Sequence, residues 1–167
     1  YLSLKVKEKK IIKIFKSDKR LRKNLTITDI LSINGQKISD IKRIAKYIII
    51  ELHNNKYLVI HLGMSGRLKY LPLGHKTEKH DHLIFTFNNF LIVFNDPRRF
   101  GMTFLLSNLE MLDDFFYHYG YDPLKDKIKL PVLFKLLLKK RITVKQMLLD
   151  QRYFVGIGNI YANEILF

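Results

Sequence analysis

Two regimes of hydrophobic patterning divide the chain. From residue 9 to about residue 106, Val, Ile, Tyr and Phe cluster in short runs punctuated by turn residues every dozen or so positions, which predicts β-strands. Ile33-Asn34-Gly35-Gln36 holds an Asn-Gly pair that tolerates positive φ, and predicts a tight hairpin turn. Tyr47 to Leu52, then His53-Asn54-Asn55-Lys56, then Tyr57 to Leu62 predicts a longer hairpin. His82 to Phe87, Asn88-Asn89, then Phe90 to Phe94 predicts another. Antiparallel strands at this spacing make a sandwich or a barrel. Past Asn108 the period changes. Residues 109–117 predict a short helix, Gly120-Tyr121-Asp122-Pro123 a linker turn, and the Lys- and Leu-rich stretch from Leu130 onward a helical region. Gly156 and Gly158 break one helix, and Asn159 is placed to cap the next. The start, Tyr1-Leu2-Ser3-Leu4-Lys5, predicts no helix. The fold class expected is α+β: antiparallel strands over 1–117, as a sandwich or a barrel, a linker over 118–128 and a helical portion over 129–167.

Composition narrows the function classes. The chain has 167 residues, 47% apolar and 13% aromatic, enough for a folded globule with a real core. Thirty Lys and Arg against fifteen Asp and Glu leave a net charge of +15, which predicts attraction to polyanions. A membrane is the weaker of the two polyanion readings, because no apolar run approaches the roughly 18 residues needed to span a bilayer. No signal peptide is expected, since the lysine-rich first ten residues have no apolar stretch behind them. The chain contains no cysteine, which excludes disulfides and removes the commonest ligands of a structural zinc. Lys79-His80-Asp81-His82 offers two histidines and one aspartate, too few for a metal site, and none is expected. A cytoplasmic protein that faces nucleic acid is the expectation.

Three segments carry candidate chemistry. Gly156-Ile157-Gly158-Asn159 opens a helix whose free N–H groups, beside a side-chain amide, suit a phosphate. An ordinary capped connection between helices would look the same. His61-Leu62-Gly63-Met64-Ser65-Gly66-Arg67-Leu68 and Asn95-Asp96-Pro97-Arg98-Arg99-Phe100-Gly101 each leave the end of a strand, where functional side chains are displayed. Core packing is the plain reading of Met64 and Phe100. An aromatic side chain flanked by paired arginines instead suits insertion into a base stack with phosphate anchoring.

Together with Ala45-Lys46-Tyr47 and Lys79-His80-Asp81-His82, and in this order and spacing, these segments resemble the formamidopyrimidine-DNA glycosylase family over nearly the whole chain. The resemblance implies a β-sandwich followed by the start of a helix–two-turns–helix domain. It also implies DNA repair by a bifunctional glycosylase and AP lyase that flips oxidised purines (8-oxoguanine, formamidopyrimidines) out of double-stranded DNA, acting as a monomer. On that resemblance Lys46 is a catalytic lysine. Met64, Arg98 and Phe100 fill the vacated stack, with Arg98 bonding the orphaned cytosine. His61, His80, Arg98, Lys140, Lys145 and Asn159 contact DNA. The family's nucleophile is an N-terminal proline followed by glutamate, and its zinc is held by a four-cysteine finger. Neither lies within these residues, so the chain is expected to be a fragment that binds no zinc, grips DNA, and is catalytically impaired. The alternative from composition alone is a non-catalytic basic nucleic-acid-binding module, which would need neither Lys46 nor the stack-filling triad.

Overall fold

A computed structural model describes residues 2–138 and 141–167. It divides into two compact units, one running to Leu112 and one from Asp113 to Phe167. The first unit contains α1 (Leu2–Val6), β1 (Lys13–Lys16), α2 (Ile27–Ile33), β2 (Ile38–Ile44), β3 (Tyr47–Leu52), β4 (Tyr57–His61), β5 (Arg67–Leu71), β6 (Asp81–Thr86), β7 (Leu91–Asn95) and β8 (Met102–Leu106). These strands form two four-stranded sheets, ordered β1-β6-β7-β5 and β2-β3-β4-β8, with every pairing antiparallel. With the helices described below, the architecture is α+β.

Side-chain alternation explains how the sheets meet. Leu58 and Ile60 of β4 and Ile92 and Phe94 of β7 enter one core shared by both sheets, joined by Leu52, Leu83, Phe85, Ile33 and Val6. The intervening Val93 lies on the outer face of its sheet and is buried there with Ile84 and Leu91. Burial on both faces is why β4 and β7 read as continuous apolar runs rather than alternating ones.

The structure corrects two expectations at the start of the chain. Residues 27–33 form α2 inside the stretch read as β, so Asn34-Gly35 ends a helix rather than turning a hairpin. Ile and Thr favour strands, but Thr26 overrides them. Its side chain accepts from the Asp29 N–H at 3.0 Å while Asp29 accepts from the Thr26 N–H at 2.8 Å, a reciprocal capping box. Thr26→Ala is expected to lower the stability of this unit by about 1 kcal/mol in urea unfolding, whereas no change would show that packing alone holds α2. The second correction is α1, a single helical turn whose Val6 is buried in the shared core. Burial of one apolar side chain holds a turn too short to announce itself by periodicity.

Three helices follow α3 (Leu109–Phe116): α4 (Leu130–Leu138), α5 (Val144–Leu149) and α6 (Asn159–Leu166). Met147, Leu148, Phe154, Ile157 and Ala162 form the core of the second unit. Thr143 and Gln146 build another capping box at the start of α5. Asn159 does not cap α6 as the sequence suggested. Gly158 is the N-cap, with no side chain to offer, and Asn159 is the first helical residue. The exposed Asn159 amide is therefore left available to something outside the helix.

Candidate nucleic-acid interface

Strand register gathers the candidates of the first unit at one end of the sandwich. In one sheet Tyr47, His61 and Met102 lie side by side across β3, β4 and β8. In the other, Arg67, Asn95 and Asp81 do the same across β5, β7 and β6. Lys46 precedes Tyr47, and His80 precedes Asp81. Leu62 to Gly66 cross from the first sheet to the second, and Asp96 to Gly101 cross back. Lys46, His61, Met64, His80, Arg98 and Phe100 thus project from one edge, although up to 54 positions separate them in the chain.

The two crossing loops touch directly. Gly63 has φ +66°, and a Cβ there would fall 2.7 Å from the carbonyl carbon of Phe100, so only glycine lets the loops approach this closely. Met64 at the tip of its loop is 71% exposed, and Phe100 46%. The Arg98 guanidinium lies 5.1 Å from the Phe100 ring centroid, within cation–π range. Large apolar side chains left in solvent beside a cation are unfavourable as packing. They are what a surface needs if it is to enter a base stack.

Behind them, Lys46 sits in the two-residue connection from β2 to β3. Arg43 Nη1 donates to the Ala45 carbonyl at 2.8 Å and Ala45 has φ +52°, which fixes this turn. Partial burial pushes the Lys46 amine below the usual lysine range, raising its neutral, nucleophilic fraction. The His61 ring lies 4.9 Å from that of Tyr47, centroid to centroid. His61 Nδ1 accepts from the Gly63 N–H at 3.0 Å, so the ring proton sits on Nε2, free to donate to a phosphate oxygen. Burial, then the positive charges of Lys46 and Arg22, hold the His61 pKa below the usual value. Because the folded pKa is depressed, the stability linked to His61 is present above the unfolded value of about 6.5 and lost as pH falls through the folded value. Titration of the His61 ring nitrogens by NMR is expected to show a midpoint below 6.5, and a midpoint at or above it would contradict this environment.

Arg22 is a residue that motif reading missed. Its N–H donates to the carbonyls of Arg99 at 3.2 Å and Gly101 at 3.1 Å, laying residues 20–23 along the Phe100 loop. Arg20, Arg22, Arg98 and Arg99 line an open cleft with Leu21 and Phe100, with no carboxylate among them. The run Lys19-Arg20-Leu21-Arg22-Lys23 was the available signal. Four arginines along one cleft suit the phosphates of a nucleic acid.

His80 is half-buried, and its carbonyl accepts from the Asp96 N–H at 3.0 Å. Its neighbour Asp81 is taken up structurally, accepting from Asn95 Nδ2 at 2.7 Å, the Glu78 N–H at 2.8 Å and His75 Nε2 at 3.1 Å. Burial pulls Asp81 upward, but these donors outweigh it and hold the carboxyl below the usual range. Among the described residues no three His, Cys, Asp or Glu side chains gather as metal ligands, and the chain has no cysteine, so these residues do not fit the family's zinc. No described helix is long and apolar enough to cross a membrane.

In the second unit Lys145 is exposed in the first turn of α5, while Lys140 lies outside the described residues. Gln151, also missed in the sequence, braces the connection to α6. Its Nε2 donates to the carbonyls of Leu149 at 3.2 Å and Ile157 at 3.1 Å, and its Oε1 accepts from the Gly156 N–H at 2.9 Å. That brace fixes the loop presenting Gly158 and Asn159, and with it the uncapped N–H groups of α6, a ready anion site.

Comparison with known proteins agrees over almost the whole chain. Residues 1–103 match the formamidopyrimidine-DNA glycosylase N-terminal domain, and residues 119–167 match the H2TH domain of the same proteins. Formamidopyrimidine-DNA glycosylase of Rickettsia canadensis is 43% identical over 150 residues, covering 87% of this chain and 54% of its own. That of Wolbachia pipientis from Culex pipiens is 42% identical over 170 residues, covering 100% and 62% respectively. The chain therefore spans between 54% and 62% of the length of these two relatives. The Lactococcus lactis Fpg, crystallised with FAPY-dG-containing DNA, superposes with a TM-score of 0.90 at 29% identity, covering 99% of this chain and 63% of that one. The same protein has been crystallised with abasic-site DNA and superposes equally well, with a TM-score of 0.90 at 29% identity over 99% of this chain and 62% of that one.

Proposed function

The chain belongs to the formamidopyrimidine-DNA glycosylase family, and from that premise we propose that it supplies the lesion-reading face of a DNA-repair glycosylase and AP lyase acting on oxidised purines in duplex DNA. What supports this reading most is the convergence of Met64, Arg98 and Phe100 on two touching loops beside Lys46 and His61. A flipped nucleotide leaves a hole whose unstacking costs a few kcal/mol. Met64 fills that hole, Phe100 wedges beside it, and Arg98 donates to the base left without a partner. His61 Nε2–H and Asn159 hold phosphates next to the lesion, and His80, Lys140 and Lys145 add further DNA contacts.

At an abasic site the deoxyribose opens to an aldehyde. A neutral amine adds to C1′, water leaves, and the resulting imine acidifies the C2′ proton so that the 3′ phosphate departs by β-elimination. Lys46 is proposed to serve this chemistry, its amine neutralised in part by burial. The 167 residues are proposed to bind damaged DNA through this face.

The direct test is the affinity of the 167-residue chain for a duplex carrying an abasic analogue opposite cytosine, against the intact duplex. A preference for the abasic duplex is expected. Equal affinity with only a salt dependence would leave a basic nucleic-acid-binding surface and no lesion reader.

A further inference from the structure

Asp96 is 0% exposed yet carries a carboxylate that no basic side chain pairs among the described residues. A buried charge of this kind is costly unless each oxygen is hydrogen-bonded. The two oxygens are divided between the crossing loops. Oδ1 accepts from the Ser65 hydroxyl, next to Met64, and Oδ2 accepts from the Gly101 N–H at 2.8 Å, next to Phe100. Ser65 Oγ in turn accepts from the Arg98 N–H at 3.2 Å. The Asp96 backbone is itself anchored, its N–H donating to the His80 carbonyl at 3.0 Å and its carbonyl accepting from His82 Nε2 at 2.9 Å. His82 is buried, and its Nδ1 accepts from the Ser17 hydroxyl at 3.2 Å, which fixes the donating tautomer.

We infer that Asp96, acting through the Ser65 hydroxyl, is the positioning residue that locks the Met64 loop and the Arg98–Phe100 loop into one rigid element, so that void-filling and orphan-base reading occur together. This rests on the function proposed above. Neither Asp96 nor Ser65 touches DNA in this role. They act through backbone groups on the two loops. A carboxylate accepts from both donors at once. An asparagine that keeps the Gly101 bond through Oδ1 turns its amide N–H toward a Ser65 oxygen that already accepts from the Arg98 N–H, so the Ser65 hydroxyl proton loses its acceptor and the bridge between the loops is weakened.

Two readouts separate this from a merely structural role. In the free chain, Ser65→Ala is expected to speed amide hydrogen exchange at both 62–66 and 97–101, since a lock holds both sides. With DNA, Ser65→Ala and Asp96→Asn are expected to lower the ratio of abasic to intact duplex affinity at least about fivefold while intact-duplex affinity stays within about twofold. Ser65→Thr keeps the hydroxyl and is expected to restore the ratio. The mild Ser65→Ala change keeps the test informative even where Asp96→Asn folds poorly. Exchange rising in one loop only, a ratio within twofold of the parent chain, or an equal loss on both duplexes would overturn the coupling. Were the parent chain itself to show no lesion preference, the proposed function would fail, and exchange in the free chain would decide the lock by itself.

Discussion

Phe94→Ala is expected to destabilise the sandwich by about 3–5 kcal/mol, a large fraction of the stability such a domain has. Phe94 is 0% exposed and stands where the core meets the two crossing loops. A Cβ at Gly101 would lie 2.5 Å from the Phe94 Cζ, so the ring is the floor on which the Phe100 loop rests. Alanine removes the ring's contacts with the core and the support of that loop. Urea unfolding followed by the amide resonances of β4 and β7 reports on this unit alone, and a loss below about 1 kcal/mol would contradict the assignment of Phe94 as the floor. Phe100 provides the contrast. At 46% exposure it contributes little to the core, and Phe100→Ala is expected to cost under about 1 kcal/mol while weakening lesion binding. Two phenylalanines six positions apart thus divide stability from recognition.

Lys46→Ala is expected to lower borohydride trapping on abasic DNA at least about tenfold, since it removes the amine proposed to form the imine. The depressed Lys46 pKa sets the sign of the pH dependence. The folded chain releases that proton more readily than a solvated lysine does, so trapping should rise with pH and do so earlier than expected of an ordinary lysine. Lys46→Arg keeps the positive charge but stays protonated and so cannot act as the nucleophile, and it should fail as fully as alanine. Equal trapping by Lys46→Ala would assign the reaction to another amine of the chain, the α-amino group included.

How far the sequence disclosed this arrangement varied with how local the cause was. The hairpins β3–β4 and β6–β7 were legible because apolar runs and turn residues alternate at close range. The helix α2 was not, because Ile27, Thr28 and Ile30 carry strand propensity. The Thr26–Asp29 capping box was nevertheless visible as a Thr-x-x-Asp spacing, and would have found it. The candidate residues could be picked out on their motifs, but nothing local says that Lys46, His61 and Phe100 share an edge. That follows from the pairing of Tyr47 with His61 and of His61 with Met102, which only the assembled sheet provides. The same is true of Arg22, which reaches the Phe100 loop through backbone bonds that have no sequence signature. Asp96 lay within a motif noted for its arginines, and its burial and divided carboxylate appear only once both loops are in place.

The central claim is that Met64, Arg98 and Phe100 together read a vacated base stack. It is tested most directly by measuring affinities for a duplex with one abasic analogue opposite cytosine and for the intact duplex, at two salt concentrations, for the chain and for Arg98→Ala. Both duplexes should lose affinity with salt, by a log–log slope of about −0.9 per phosphate neutralised. The chain should prefer the abasic duplex about tenfold, or about 1.4 kcal/mol, and Arg98→Ala should bring that preference close to unity. Equal affinity of the parent chain for both duplexes, or a tenfold preference that survives Arg98→Ala unchanged, would contradict the account.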